Sequence, residues 1–161
     1  MADAVIVRIP RGVAERLERE ANRAGVSLEE YMLELLLRDL DPPERAREYA
    51  EAARLLLEQA REELERGNVG QAAEKLWGAA ALAVKAYAAW REGRRLTSHG
   101  ELWDYKRRMA REPGEWVSDA WAQANAMHTC FYEGWCTRED VEDAMKRVEK
   151  LVEKVEELVR A

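Results

Sequence analysis

The chain has 161 residues, of which 47% are hydrophobic and 36% are charged, and its net charge is −6. This length suits one ordinary domain or a small module joined to a compact one, and the acidic balance argues against a strongly basic protein that coats DNA. The N-terminal MADAVIVRIP lacks the basic and apolar regions of a signal peptide. The longest apolar run, residues 78–89, contains Lys85 and is too short to span a bilayer. We therefore expect a cytoplasmic protein with no membrane partner.

The two cysteines, Cys130 and Cys136, are too few for a disulfide framework and favour a reducing compartment. They lie six positions apart at the end of a predicted helix, which is expected to place them on different faces. With His128 and Glu133 they match no standard zinc spacing, and neither a metal nor a cofactor is expected. The abundance of Arg and Glu is typical of proteins from hot environments.

The N-terminal segment predicts one strand followed by two helices. In residues 4–10, AVIVRIP, the side chains Val5, Val7 and Ile9 alternate with Ala4, Ile6 and Arg8 at the strand period of two. Pro10 ends the strand. A helix follows and stops at Gly25, and Ser27 with Glu30 forms a capping box at the start of the next helix. Because a lone strand leaves its backbone groups unpaired, we expect it to pair with a second copy in an antiparallel ribbon.

This order of strand, helix and helix, with the phrases RIP and AGVSLEEYM, resembles the ribbon-helix-helix family. The resemblance implies dimerisation and a DNA-reading strand, on which Ala4, Ile6 and Arg8 face away from the core. Only Arg8 can read a base edge. Residues 1–40 carry six arginines against eight acidic residues, which is unfavourable for phosphate binding, so dimerisation is the favoured role.

The rest of the chain predicts a helical bundle. Residues 41–44, Asp-Pro-Pro-Glu, indicate a linker, because a double proline does not continue a helix. Apolar periodicity predicts long helices over about 45–67, 71–92, 115–134 and from Thr137 onward, with a short helix capped by Ser98. We therefore predict an all-α fold: an antiparallel four-helix bundle over residues 45–161, preceded by a small β-α-α module over residues 1–41.

Three stretches of the bundle carry a resemblance to known proteins: QAAEKLWGAAALAVKAYAAW, LTSHGELW and MHTCFYEGWCTREDVEDAMKRVEKLV. They resemble the HEPN superfamily of helical bundles, which are linked to nucleotides and RNA. More narrowly, EKLWGAAALAVKAYA, SHGELW and FYEGW together are similar to the archaeal PaREP group of heat-loving organisms. Ribbon-helix-helix modules and HEPN bundles are both common in toxin–antitoxin systems, so the resemblance also implies descent from such parts.

The HEPN resemblance implies which residues a ribonuclease activity would need. Many members are metal-independent ribonucleases that use an Arg and a His four to six residues later. In the matching stretch Met127 stands where the Arg is expected, which implies that this chemistry is absent. Asn125, His128 and Tyr132 share one helical face and predict a polar pocket. The alternative is a histidine at the edge of the core that hydrogen-bonds to a neighbour.

A second Arg-to-His spacing runs from Arg94 to His99, just before and at the start of the short helix. His99 and His128 are therefore the two candidate catalytic residues, with an acid–base role. The alternative for His99 is that it completes local hydrogen bonds at the start of that helix.

Residues 91–111 form a locally basic segment, with seven basic side chains against three acidic ones. Such a patch near Trp103 and Tyr105 predicts contacts with a phosphate backbone and stacking on a base. The alternative is a solvated helix face with scattered ion pairs. The predicted nucleic-acid-binding residues are Arg94, Arg95, Lys106, Arg107 and Arg108.

These observations predict a homodimer or higher homo-oligomer that binds RNA, another polyanion or a nucleotide, and DNA less readily, without standard HEPN ribonuclease chemistry. Three alternatives remain open. The first is an active metal-independent ribonuclease that uses His99 or His128. The second is a non-catalytic assembly protein, and the third is a ribbon-helix-helix DNA-binding regulator.

Overall fold

The computed structural model describes residues 4–160, which form seven α-helices joined by short connections. No strand occurs within this range, and the predicted all-α fold is confirmed. Residues 1–3 and 161, the ends of the two predicted modules, lie outside the described residues. The helices are α1 Arg11–Ala24, α2 Leu28–Leu37, α3 Pro42–Glu65, α4 Val69–Glu92, α5 His99–Met109, α6 Trp116–Glu133 and α7 Arg138–Arg160.

The strand predicted over residues 4–10 is not formed in the single chain. Val5, Ile6 and Val7 are 85%, 94% and 74% exposed. A strand gains stability only when its backbone groups pair with a neighbour, and the seven helices offer none. In place of a β-α-α module, the chain therefore has an irregular segment followed by two helices.

The predicted helix boundaries at the N-terminal hairpin have the expected chemistry. Gly25 follows α1 with φ of 71°, a left-handed conformation that glycine adopts without a steric penalty. Ser27 accepts a hydrogen bond from the amide of Glu30 at 3.1 Å, which caps α2. The Glu30 side chain does not complete the capping box; its carboxylate lies 3.0 Å from the Lys85 ammonium group.

The predicted linker at residues 41–44 is shorter than expected, because α3 begins at Pro42. Asp41 is the N-cap residue, and the double proline occupies the first turn of α3. Proline is compatible with this position since the first amide groups of a helix have no intrahelical partner.

Helix α4 lies at the centre of the bundle and contacts α3, α6 and α7. Every residue of α4 from Leu76 to Ala89 is buried, and most of these side chains are small. At Gly78 a Cβ would lie 2.9 Å from Leu56 Cδ1, so α3 and α4 approach closely there. Helix α5 packs against α4 and α6, whereas α1 packs mainly on α2. Within residues 4–160, no helix is both long and apolar enough to cross a bilayer.

Enlarging a small side chain of α4 is expected to destabilise the protein. Ala83 is fully buried, so Ala83→Leu should lower the free energy of unfolding by about 1–3 kcal/mol through overpacking. Chemical denaturation followed by circular dichroism measures this change. Ala122→Leu, at an exposed position in α6, is the matched control and should change stability little; equal effects of the two substitutions would contradict the close packing of α4.

Candidate functional site

The two histidines of the chain meet at one tryptophan. His99 is the first residue of α5, His128 lies in α6 and Trp77 lies in α4. The ring centroid of Trp77 lies 5.2 Å from that of His99 and 5.0 Å from that of His128. The two imidazole centroids are 6.3 Å apart. The two catalytic candidates, which are 29 positions apart in the sequence, thus belong to one cluster.

Glu74 orients one of these histidines. Its Oε2 lies 3.1 Å from Nδ1 of His128. When Glu74 is ionised, its carboxylate only accepts hydrogen bonds, so Nδ1 is the donor in this contact and Nε2 is left for another partner. Burial raises the pKa of Glu74, although the contact with His128 opposes this effect. Glu74 precedes Trp77 by one helical turn, which places both side chains on the same side of α4.

Trp77 belongs to a rigid aromatic layer. Its ring packs 5.0 Å from that of Trp121, which in turn meets the edge of Trp103 at 5.8 Å. Trp121 is fully buried and Trp77 is 7% exposed. Because these rings come from α4, α5 and α6, the layer fixes the relative positions of the helices that carry the two histidines.

A cavity of about 320 Å³ opens beside His128. One wall comes from the bundle and includes Glu74, Trp77, His128, Phe131 and Tyr132. The opposite wall comes from the α1–α2 hairpin and includes Glu18, Ala21, Asn22, Gly25, Val26 and Ser27. The cavity therefore combines aromatic faces with carboxylate acceptors.

The predicted pocket residues differ in their positions. Tyr132 is 72% exposed, lines the cavity and meets His128 edge-on, with ring centroids 5.0 Å apart. Asn125 is half-buried and does not line the cavity. Its backbone carbonyl accepts a hydrogen bond from the Thr129 hydroxyl at 3.1 Å. Of the three, His128 and Tyr132 are thus brought together at the cavity.

The predicted basic residues are largely paired within the chain. Arg95 lies 3.0 Å from Glu34, Arg107 2.5 Å from Asp104, and Arg108 2.7 Å from Glu92. Lys106 is buried, with its ammonium group 5.1 Å from the ring centroid of Trp103. Arg94 lies 5.7 Å from the ring centroid of Tyr105. These contacts balance most of the local positive charge.

A buried ion cluster joins α2 to the bundle. Lys85 is 4% exposed, and its ammonium group lies 3.0 Å from Glu30 and 2.8 Å from Glu34. Burial alone would lower the pKa of Lys85, but these two carboxylates outweigh burial and raise it. For Glu34 the two effects are opposite in sign: burial alone would raise its pKa, but Lys85, Arg95 and Tyr49 together hold it below its ordinary value. The sequence signal for this cluster was the single charge inside the apolar run of α4.

Cys130 and Cys136 form a disulfide, with Cα atoms 5.0 Å apart. The prediction that they lie on different faces was wrong, because α6 ends before Cys136. Gly134 follows α6 with φ of 79° and turns the chain back toward Cys130. The bridge ties down the end of α6 that carries Phe131 and Tyr132. Within residues 4–160, no group of three or more His, Cys, Asp or Glu side chains has a metal-binding arrangement.

The proximity of the two histidines predicts that His128 influences the pKa of His99. Burial lowers the pKa of His99, and the charge of His128 lowers it further. In the His128→Asn variant the second effect disappears, so the pKa of His99 should rise but stay below its ordinary value because burial remains. Histidine side-chain resonances in an NMR pH titration measure this. Tyr132→Phe, which keeps both imidazoles, is the control; an unchanged His99 pKa in His128→Asn would contradict this influence.

Comparison with protein-family models places this site in a known family. The model of the archaeal PaREP1/PaREP8 family matches residues 48–152, a range that contains Glu74, Trp77, His99 and His128 and excludes the α1–α2 hairpin. Searches of curated proteins and of solved structures give no match. Because the family model covers more than half of the chain, the predicted PaREP resemblance is confirmed: the protein belongs to the archaeal PaREP1/PaREP8 family.

Proposed function

We propose that this protein binds a nucleobase, as part of a nucleotide or of single-stranded RNA, in the cavity beside His128. The observation that carries the proposal is the combination of aromatic rings and hydrogen-bonding groups in one cavity of about 320 Å³. Bases stack on aromatic side chains regardless of sequence, and their edges are read by a few polar groups. Tyr132 and His128 supply the rings, and Glu74 with Nε2 of His128 supplies the polar groups.

The charges in the cavity favour the base over the phosphate. Glu18, Glu29, Glu30 and Glu74 line the cavity together with one lysine, Lys75. Carboxylates accept hydrogen bonds from the amino group of a base but repel a phosphate. The phosphate of the ligand therefore belongs outside the cavity.

Exposed arginines near the C-terminal end of α4 are the proposed contacts for phosphates further along a single-stranded RNA, because Glu92, the partner of Arg108, lies about 22 Å along α4 from Trp77. The side chains of Arg107 and Arg108 are 63% and 55% exposed, and surface ion pairs contribute little stability, so a phosphate can replace their carboxylate partners. Arg94 completes this proposed surface. Arg95 and Lys106 also belonged to the predicted set, but their pairing and burial make them weaker contacts.

The same proposal includes a HEPN-like antiparallel four-helix bundle over residues 45–161 without the standard HEPN ribonuclease chemistry. Supporting this, α3, α4, α6 and α7 pack against one another. Met127, at the position where that chemistry needs an Arg, is 2% exposed and packs in the core. A cytoplasmic location is also proposed; the disulfide is compatible with it because intracellular proteins of hyperthermophilic archaea are rich in disulfides.

A ribonuclease is the second candidate, favoured by the distance of 6.3 Å between the two imidazole centroids. Two histidines can act as base and acid in phosphodiester transfer. Neutral His99 would take the proton of the ribose 2′-hydroxyl while its oxygen attacks phosphorus. Protonated His128 would give its proton to the leaving 5′-oxygen. Burial and the charge of His128 lower the pKa of His99, which favours the neutral form that a base requires.

Homodimerisation through residues 4–10 is also proposed, as in a ribbon-helix-helix module over residues 1–41. Its support is the exposure of apolar side chains along this segment, together with Val13, Leu35 and Leu36 on the adjoining helices. Exposed apolar side chains in a consecutive run, such as Val5, Ile6 and Val7, are typical of an interaction site. An assembly role alone, or DNA reading through Arg8, remains the alternative use of this segment.

Binding should depend on Tyr132. Tyr132→Ala should weaken binding of labelled single-stranded RNA about 5- to 150-fold, since a stacked base contributes about 1–3 kcal/mol. Fluorescence anisotropy at several salt concentrations, with duplex RNA and duplex DNA in parallel, measures this. Trp135→Ala is the matched control, because Trp135 is an exposed aromatic residue on the loop after α6 that does not line the cavity.

Two outcomes would redirect the account. The first is that all three nucleic acids bind equally, and that binding is lost in an Arg94/Arg107/Arg108 charge-removal variant but kept in Tyr132→Ala. This result would contradict base binding and indicate a surface that binds polyanions. RNA cleavage on the same samples, abolished in both His99→Ala and His128→Ala variants that remain folded, would establish the ribonuclease instead.

The dimer is tested by two neighbouring positions. In the predicted strand Val7 faces the ribbon core and Ile6 faces away, whereas both are exposed in the single chain. Val7→Asp should therefore raise the dimer dissociation constant about a hundredfold or more by placing a charge in the apolar interface. Ile6→Asp should leave it nearly unchanged. Sedimentation velocity measures both; a monomeric parent protein, or equal effects of the two substitutions, would contradict the ribbon.

A further inference from the structure

The α1–α2 hairpin covers the cavity and is joined to the bundle mainly by ion pairs of Glu29, Glu30 and Glu34 in α2. It provides one complete wall, from Glu18 in α1 to Glu30 in α2. The other wall, which carries Trp77 and His128, falls within the matched family segment, residues 48–152. The hairpin therefore lies outside the matched segment, whereas the opposite wall of the cavity lies inside it.

The attachment of the hairpin to the bundle is small. Helix α1 packs mainly on α2, and α2 makes few backbone approaches to α3. Leu37 is the only residue of α2 in the buried core within the described range, with Leu33 packed at its edge. Small and polar contacts between parts of one chain permit relative motion.

Glu34 is the centre of that attachment. Its carboxylate accepts hydrogen bonds from Lys85 at 2.8 Å, from the Tyr49 hydroxyl at 2.8 Å and from Arg95 at 3.0 Å. These three donors come from α3, α4 and the loop after α4. One carboxylate of the hairpin thus links it to three separate parts of the bundle.

The connection between hairpin and bundle has a fixed end. Arg45 donates to the carbonyl of Leu40 at 3.0 Å and to that of Gly93 at 3.2 Å. These bonds hold the start of α3 to the end of α4. Arg38 and Asp39, which follow α2 and precede Leu40, are left as the hinge about which the hairpin can move.

We infer that the α1–α2 hairpin is a lid that closes the cavity beside His128, with Glu34 as its latch and Arg38 with Asp39 as its hinge. Release of the latch opens the wall formed by the hairpin and admits the ligand. The identity of that ligand rests on the proposed function, but the movement of the lid does not.

The two histidines provide the test, because they differ in position relative to the lid. His128 lines the cavity, whereas His99 does not line it and keeps an exposed side chain that its neighbours only partly desolvate. Diethyl pyrocarbonate modifies neutral imidazoles, and peptide mass spectrometry of the full-length protein reports the rate at each histidine separately. His99 is thus an internal reference for the reactivity of His128.

In the Glu34→Gln variant the rate at His128 should rise about tenfold or more, while the rate at His99 stays within about twofold. Tyr49→Phe removes one hydrogen bond of the latch without changing a charge, and it should give a smaller rise at His128 alone. Glu63→Gln removes the exposed contact of Glu63 with Arg66, and it should change neither rate.

The lid is overturned if His128 reacts equally fast in the parent and in both latch variants, or if His99 accelerates as much as His128. Should Glu34→Gln fail to fold, Tyr49→Phe decides by the same criteria. Adenosine 5′-monophosphate separates the two proposals. If the latch variants accelerate the reaction at His128 alone but the protein does not bind this nucleotide, the lid stands and the proposed function is contradicted. If the protein binds the nucleotide but the reactivity of His128 is the same in all variants, the proposed function stands and the lid is contradicted.

Discussion

The buried ammonium group of Lys85 decides how the two parts of the chain are arranged. It emerges from the most deeply buried of the described helices, where an unpaired charge would be strongly destabilising. Its two carboxylate partners, Glu30 and Glu34, both belong to α2. In the closed arrangement α2 therefore lies against α4, and the turn that joins it to α1 faces Trp77 and His128. The cavity exists because this one charge requires its partners.

The small side chains of α4 fix the other half of the site. They allow α3, α6 and α7 to approach α4 closely, and the aromatic layer of Trp77, Trp103 and Trp121 sets the positions of α5 and α6. His99 and His128 reach the same tryptophan only because those two helices are held in this way. A rigid wall from the bundle thus faces a weakly attached wall from the hairpin, an arrangement suited to a ligand that must enter and leave.

Local patterns predicted the helices well, because caps and apolar periodicity act over a few residues. Gly25, Ser27 and Ser98 each end or begin a helix as predicted. The predictions that failed concern contacts between residues that are distant in sequence. The strand at residues 4–10 needs a neighbour, and the basic segment after α4 is balanced by acids such as Glu34, which lies 61 positions before Arg95. The meeting of His99 with His128 has the same cause, since it depends on helix packing.

The central claim is that a base enters the cavity beside His128. Its most direct test is an NMR titration of the two histidine side chains with adenosine 5′-monophosphate, with ribose 5-phosphate as the ligand that lacks the base. The account predicts saturable shifts at His128 that exceed those at His99 with the nucleotide, and no such shifts with ribose 5-phosphate at the same concentrations. Equal shifts with both ligands, or none with the nucleotide, would contradict it.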